Sequence, residues 1–206
     1  MNPPRLHRIL FVHAAPGIPV GGVAGGAVHI REVVRAMVRA GHDVLLVARR
    51  GSRRSGEPLP VLPCPLKLLP QGTLPGVLQR IPQVDETVYD HRLSRFLRSE
   101  ASTYEPTLVY ERFSLFSLAG ANLARHAGVP FVLEVNAPLA RERSRHEGLQ
   151  EGGFTRRREE KILAAADRVV AVSFRPCFLG VFLVFLLRPC VFYAILAVSV
   201  VRRFFS

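Results

Sequence analysis

A doubly wound α/β domain, a parallel sheet with helices on both faces, is the fold this sequence predicts, and three observations predict it. Short, apolar, β-rich runs recur along the chain: Ile9-Leu10-Phe11-Val12, Val44-Leu45-Leu46-Val47, Leu108-Val109-Tyr110, Phe131-Val132-Leu133-Glu134-Val135 and Val169-Val170-Ala171-Val172. Runs of this kind suit strands buried on both faces, as in parallel sheets. Helical patterns lie between them, and Gly41 and Gly128 close two of these in the C-terminal cap position. Finally, 206 residues with an apolar share of 49% suit one domain with an appendage and exclude a disordered or collagen-like chain.

Taken in order, Ile9 to Val12 is the first strand, and a Gly/Pro-rich loop runs from Ala14 to Gly26. Ile30, Val33, Val34, Met37 and Val38 then follow the spacing of one helix face, while Arg31, Glu32, Arg35 and Arg39 take the other. Val44 to Val47 is the second strand, so strand, helix and strand make a βαβ unit, whose crossover is right-handed. Residues 49–83 contain seven Pro and read as irregular, with a short strand at Val61-Leu62. Asp85 to Ala101 reads as a helix, Leu108 to Tyr110 as a strand and Ser114 to Ala127 as a helix. Phe131 to Val135 is a further strand. A long helix ends near Ala166, and Val169 to Val172 is the last strand of this body.

The chain changes character after Ser173, which divides it into a body, 1–173, and a hydrophobic tail, 174–206. The body carries 24 basic and 16 acidic side chains; the tail carries four Arg, no acid, 7 of the 13 Phe and two of the three Cys. Residues 177–201 are interrupted only by Arg188, Pro189 and small residues. Each half of that stretch is too short for a bilayer core, which needs about 20 apolar residues. The whole stretch is long enough, at the cost of a charge near its centre. Three readings stay open for the tail: the product of a frame change or truncation, a membrane anchor, or a buried core element. At the other end, the apolar run from Ile9 stops at His13, too soon for a secretory signal. The expected location is cytoplasmic, with membrane association through 177–201 if the tail is an anchor.

The formal net charge is +12, and all the basic residues but Lys67 and Lys161 are Arg. Arg49-Arg50, Arg53-Arg54 and Arg156-Arg157-Arg158 suit phosphate, nucleic acid or an anionic surface. Neither zinc-finger spacing nor an aromatic ladder accompanies them, so nucleic acid is not an expected partner. Cys64, Cys177 and Cys190 form no C-x-x-C pair, which argues against a disulfide framework and a Cys-based zinc site.

In doubly wound sheets, ligands bind outside the carboxyl ends of the strands, near the reversal of strand order. This selects His13 and the Gly-rich loop, Arg49 and Arg50, Glu111 and Arg112, and Asn136, Ala137 and Pro138 as the lining of one cleft. The loop from Pro16 to Gly26 leads into a helix N-terminus, whose backbone N–H groups suit a phosphate. It is not a P-loop, since no Gly-Lys-Ser/Thr follows, and it holds no G-x-G-x-x-G. The second strand also ends without an acid for a ribose hydroxyl, although Arg49 and Arg50 suit the 2′-phosphate of NADP. No Ser-His-Asp nucleophile elbow is present. His42 reads as part of the turn after a helix, and Glu159 and Glu160 as surface charges.

Several segments carry a resemblance in the order in which they occur: Ile9 to Val12, Gly25-Gly26-Ala27-Val28-His29, Arg39-Ala40-Gly41-His42-Asp43-Val44, Leu108-Val109-Tyr110-Glu111-Arg112-Phe113-Ser114, Gly128-Val129-Pro130, Leu133-Glu134-Val135-Asn136-Ala137-Pro138-Leu139 and Ala165-Ala166-Asp167-Arg168-Val169-Val170-Ala171-Val172-Ser173. Together they resemble the N-terminal domain of family 4 glycosyltransferases, which have the GT-B fold, over almost all of residues 7–173. The resemblance implies transfer of a sugar, with retention of configuration, from a nucleotide-sugar donor to a hydroxyl of a sugar or lipid-linked acceptor, with no cofactor and no metal. It implies that Gly25 and Gly26 approach the donor phosphates and transferred sugar. His29, Arg112, Glu134 and Asn136 become candidate acceptor or sugar contacts, with Asn136 where the family often carries a His. Gly25, Gly26, Arg112 and Asn136 are expected to converge at one end of the sheet.

The resemblance stops after Ser173. The family's second domain, with most nucleotide contacts and a Glu-x7-Glu element, is not recognisable in residues 174–206. The expected function is therefore the acceptor-side half of a retaining glycosyltransferase, truncated after its first domain and inactive alone. The alternatives are a non-catalytic module that pairs with a separate C-terminal half, and an NADP-binding Rossmann protein.

Overall fold

The computed structural model describes residues 6–49, 61–64, 82–137, 139, 153–173, 183–188 and 191–196. The chain runs through Arg8–His13 (β1), Gly25–Arg39 (α1), Asp43–Ala48 (β2), Val61–Pro63 (β3), Pro82–Tyr104 (α2), Leu108–Arg112 (β4), Ala119–Ala127 (α3), Phe131–Val135 (β5), Gly153–Ala164 (α4), Arg168–Ser173 (β6), Leu183–Arg188 (β7) and Val191–Leu196 (β8). These strands form one sheet in the order β3-β2-β1-β4-β5-β6-β7-β8. From β3 to β6 every pairing is parallel, and β7 and β8 extend the β6 edge antiparallel. The chain winds outward from β1 through β2 and β3, then returns to β4 on the other side. The order therefore reverses between β1 and β4, which is where an open α/β sheet leaves a crevice at its carboxyl end.

Strand alternation divides the core in two. On one face, α1 buries Ile30, Val34 and Met37 with Ile9, Phe11, Leu46, Tyr110, Val132 and Val170. On the other, Tyr89, Leu93 and Leu97 of α2, Leu123 of α3 and Ile162 of α4 pack with Leu10, Val12, Val109, Phe131 and Leu133. The doubly wound architecture follows: side chains of successive strand residues point to opposite faces, and apolar residues fill both. Gly128, with φ of 67°, caps α3 in the left-handed conformation, and Gly41, with φ of 92°, does the equivalent after α1. A side chain at either position would be strained.

Two elements differ in extent from the sequence reading, and His42 does more than fill its turn. The helix expected from Asp85 spans Pro82–Tyr104. The helix expected from Ser114 begins only at Ala119, because the preceding N–H groups are engaged elsewhere. Ser117 N–H closes a turn onto the Ser114 carbonyl at 3.0 Å, and Leu118 N–H donates to Asp90 Oδ1 of α2 at 2.8 Å. His42, read as a turn residue, is buried and accepts a hydrogen bond from His7 N–H at 3.2 Å, which ties the turn to the entry of β1.

Within the tail, the described residues 183–188 and 191–196 are strands rather than the helix of a membrane anchor. Among the described residues, no helix is long and apolar enough to cross a membrane. Arg50, Arg53, Arg54, Lys67, Pro138, Cys177 and Cys190 lie outside the described residues.

Candidate functional site

The parallel register aligns His13 of β1 with Arg112 of β4, and Arg112 with Glu134 of β5. Alternation then sends Tyr110, Arg112 and Glu134 toward α1 and Glu111 toward α3.

Glu134 is the hub of the α1 side. It is 1% exposed, and both of its oxygens are engaged. Oε1 accepts from His29 Nε2 at 3.0 Å, Asn136 Nδ2 at 2.8 Å and Arg112 Nη1 at 3.3 Å, while Oε2 accepts from the Tyr110 hydroxyl at 2.8 Å. Burial alone would raise this carboxyl, but His29, Arg112 and Tyr110 outweigh it and hold the group below the ordinary carboxylate value. Glu134 is thus an ionised, saturated acceptor. Four protein donors occupy the nearly fully buried carboxylate, so what the geometry shows of Glu134 is its hold on its protein neighbours. Burial and the adjacent Glu134 charge raise the Tyr110 hydroxyl well above its ordinary value, so it stays a donor.

Arg112 faces two ways. Nη1 is held by Glu134, whereas Nη2 lies 3.4 Å from where a Cβ on Gly26 would stand, and Ile18 Cδ1 lies 3.0 Å from that same point. Gly26 is therefore closely covered by the Ile18 side chain, with the Arg112 guanidinium just beyond it at ordinary contact distance. Gly25 opens the helix beside Ala24, whose side chain offers no cap, and the Ala27 and Val28 N–H groups both turn back to the Ala24 carbonyl at 2.8 and 3.1 Å. Gly25 has nothing within 4 Å of where a Cβ would stand and no positive φ, so only a close ligand would require a glycine there. With no acidic residue in the first turn, the helix N-terminus and Arg112 together make an electropositive corner.

The Gly-rich loop is braced from three sides. His13 Nε2–H donates to the Ile18 carbonyl at 2.8 Å, Arg31 Nη1 donates to the Val20 and Gly22 carbonyls at 2.7 Å each, and Gly22 N–H reaches the Pro19 carbonyl at 2.9 Å. Burial, with a smaller push from Arg112, brings His13 down to about 4, against the contribution of its bond to Ile18. It is neutral at pH 7, and its buried Nδ1 has no hydrogen-bond partner among the described residues. Asn136 Oδ1 is likewise a buried acceptor without one.

The structure thus brings together Gly26, His29, Arg112, Glu134 and Asn136, with Gly25 at the rim. Glu111 belongs to the opposite face. Its Oε2 accepts Gly120 N–H at 3.0 Å at the start of α3, and burial pushes its carboxyl up to about 8, against the Ser117 hydroxyl and the Gly120 amide. Its expected place in the cleft lining is corrected accordingly: Glu111 is a protonated helix cap. Arg49 also sits on this face, its guanidinium 4.2 Å above the Tyr89 ring. Two parts of the site escaped the sequence reading. Tyr110 carried a signal, since it lies two residues before Arg112 and so shares its face of β4. The meeting of His29 with Glu134, 105 residues apart, left none.

A family model described as Glycosyltransferase Family 4 matches residues 23–175. No curated protein sequence matches. Among solved structures, sucrose-phosphate synthase from Thermosynechococcus elongatus superposes with a TM-score of 0.51 at 14% identity, covering 78% of this chain and 41% of that one. Spinosyn forosaminyltransferase SpnP gives 0.42 at 17% identity, covering 79% and 43%. The chain thus spans about two fifths of the length of the structures it resembles.

Proposed function

The chain belongs to glycosyltransferase family 4, with the Rossmann-like fold of GT-B glycosyltransferases, and from that premise we propose that residues 7–173 form the acceptor-side wall of a retaining sugar-transfer site. On this reading a nucleotide sugar brings its diphosphate against Gly25, Gly26 and the Arg112 guanidinium, and an acceptor hydroxyl approaches from the same crevice. The observation that carries it is the position of Arg112 Nη2 beside Gly26 at a helix N-terminus that lacks a side-chain cap.

The chemistry this wall can supply is electrostatic. Negative charge that develops on a departing diphosphate is stabilised by donors already in place. Arg112 is such a donor, with one arm fixed and the other directed at the helix terminus. Asn136 Oδ1, a buried acceptor without a partner among the described residues, suits a hydroxyl donor on the sugar or acceptor. The 206 residues contribute one wall of a two-walled cleft, and the donor's nucleotide is held by a second wall that pairs with this one.

The test is a transfer assay with a panel of nucleotide sugars and acceptors, run on residues 1–206 alone and with a complementary C-terminal half of the family added. No turnover is expected from the chain alone, and turnover that depends on Gly26 is expected from the pair: Gly26→Val drives a side chain into Ile18 and Arg112. Turnover by 1–206 alone refutes the half-site reading. An active pair that is indifferent to Gly26→Val removes the phosphate role from this corner.

A further inference from the structure

Glu134 is buried too deeply to meet a ligand, yet groups from three segments converge on it: His29 of α1, Tyr110 and Arg112 of β4, and Asn136 just beyond β5. Placed beside an electropositive corner, its negative charge weakens the attraction of that corner for an anion. Its presence there needs another explanation, and geometry supplies one.

We propose that Glu134 is a positioning residue: its carboxylate fixes the Arg112 guanidinium so that Nη2 stands at the first turn of α1, and it orients Asn136 and His29 in the same frame. The proposal rests on the reading of that corner as a phosphate site. An arginine carries a long, flexible stem, and its planar fork binds anions best when it is already oriented. The Tyr110 hydroxyl holds Oε2, which prevents the carboxylate from turning, and Oε1 is left to collect Arg112, His29 and Asn136. Arg112, 11% exposed, has few alternative places to go while that bond lasts. Once it is lost, the guanidinium can swing toward water and leave the helix terminus.

Positioning and simple electrostatics predict opposite signs, which makes the proposal testable. Glu134→Gln keeps the shape and removes the negative charge. Electrostatics alone then predicts tighter anion binding, whereas loss of positioning predicts weaker binding. The experiment titrates the full chain with inorganic diphosphate by calorimetry, using the wild type, Glu134→Gln and Glu134→Asp. It also follows the Arg112 guanidinium N–H resonances by NMR. The expected result is about a tenfold loss of diphosphate affinity in Glu134→Gln, the loss of one charge-assisted hydrogen bond. Arg112 resonances should be resolved in the wild type and exchange-averaged in the variant. Equal or tighter binding with unchanged Arg112 resonances overturns the proposal. If Glu134→Gln fails to fold, Glu134→Asp, which keeps the charge and retracts it by one methylene, is read by the same criteria. If the wild type binds no diphosphate, the phosphate reading of the corner fails, and the Arg112 resonances still decide positioning: immobile in the wild type and mobile in the variant supports it, and no difference between them overturns it.

Discussion

Glu111 near the end of β4 and Glu134 near the end of β5 are both 1% exposed, and they stand on opposite faces of one sheet. Burial acts on both in the same direction, toward the neutral acid. At Glu134, His29, Arg112 and the Tyr110 hydroxyl reverse it and keep the carboxylate ionised. At Glu111 the hydrogen-bond partner among the described residues is the Gly120 amide, Asp90 adds an adverse charge, and the carboxyl rises to about 8. One glutamate organises an electropositive corner, and the other is a neutral cap on α3. The side chain is the same in both places, so the neighbours that register and packing deliver decide which role it takes.

The largest test of this contrast removes the ionised carboxylate. Glu134→Ala strands Arg112 and the Tyr110 hydroxyl in a buried setting, and breaking a buried charged pair costs about 3 kcal/mol or more. Urea denaturation measures it, and a loss near zero would show that the cluster is solvated rather than buried. The next test presses on the neutral partner. A Cβ at Gly120 runs into Glu111 Oε2 and comes within 3.2 Å of Phe131 Cε2, so Gly120→Ala should cost about 2 kcal/mol by overpacking. Shortening the acid in the double variant Gly120→Ala with Glu111→Asp should recover part of that loss. If the double variant recovers nothing, the clash is with Phe131 and not with the carboxyl.

The test with the sharpest sign belongs to Glu111→Gln, whose effect is smallest near pH 4.5 and grows as pH rises. In the folded state Glu111 keeps its proton up to about 8, while the unfolded chain releases it near the ordinary value of 4.5. Between those values the folded state binds more protons than the unfolded one, so this group makes stability fall as pH rises, and the penalty is complete above about 8. Glutamine imitates the neutral acid. The variant should match the wild type near pH 4.5 and exceed it above pH 8, as read from denaturation midpoints across that range. Parallel curves for the two proteins would mean that Glu111 is ionised and that the contrast with Glu134 is lost.

Much of the frame was legible before any coordinates. The apolar runs named the strands, Gly41 and Gly128 marked helix ends, and the rule of carboxyl ends and strand reversal selected Arg112 and Asn136. The order of the motifs pointed to the family. What was not legible has one cause. Glu111 and Arg112 are adjacent in the chain, yet pleating sends adjacent strand residues to opposite faces, and only the helix packed on each face tells which is which. Glu134 has a legible position at the end of β5, but its saturation by donors from α1 and β4 does not show in spacing along the chain.

The sequence by itself determined where the chain can form strands and helices, because periodicity and glycine act on neighbours a few residues away. It determined the sheet's class for the same reason, since runs apolar on both faces have few other places to go. The tertiary structure decided the rest. The start of α3 is set by Asp90, which captures the Leu118 amide from another helix. Glu134 stays charged because His29, 105 residues earlier, folds back onto it. Hydrogen bonds and charge states depend on which groups meet across strands and layers, and those meetings come from register and packing rather than from spacing along the chain.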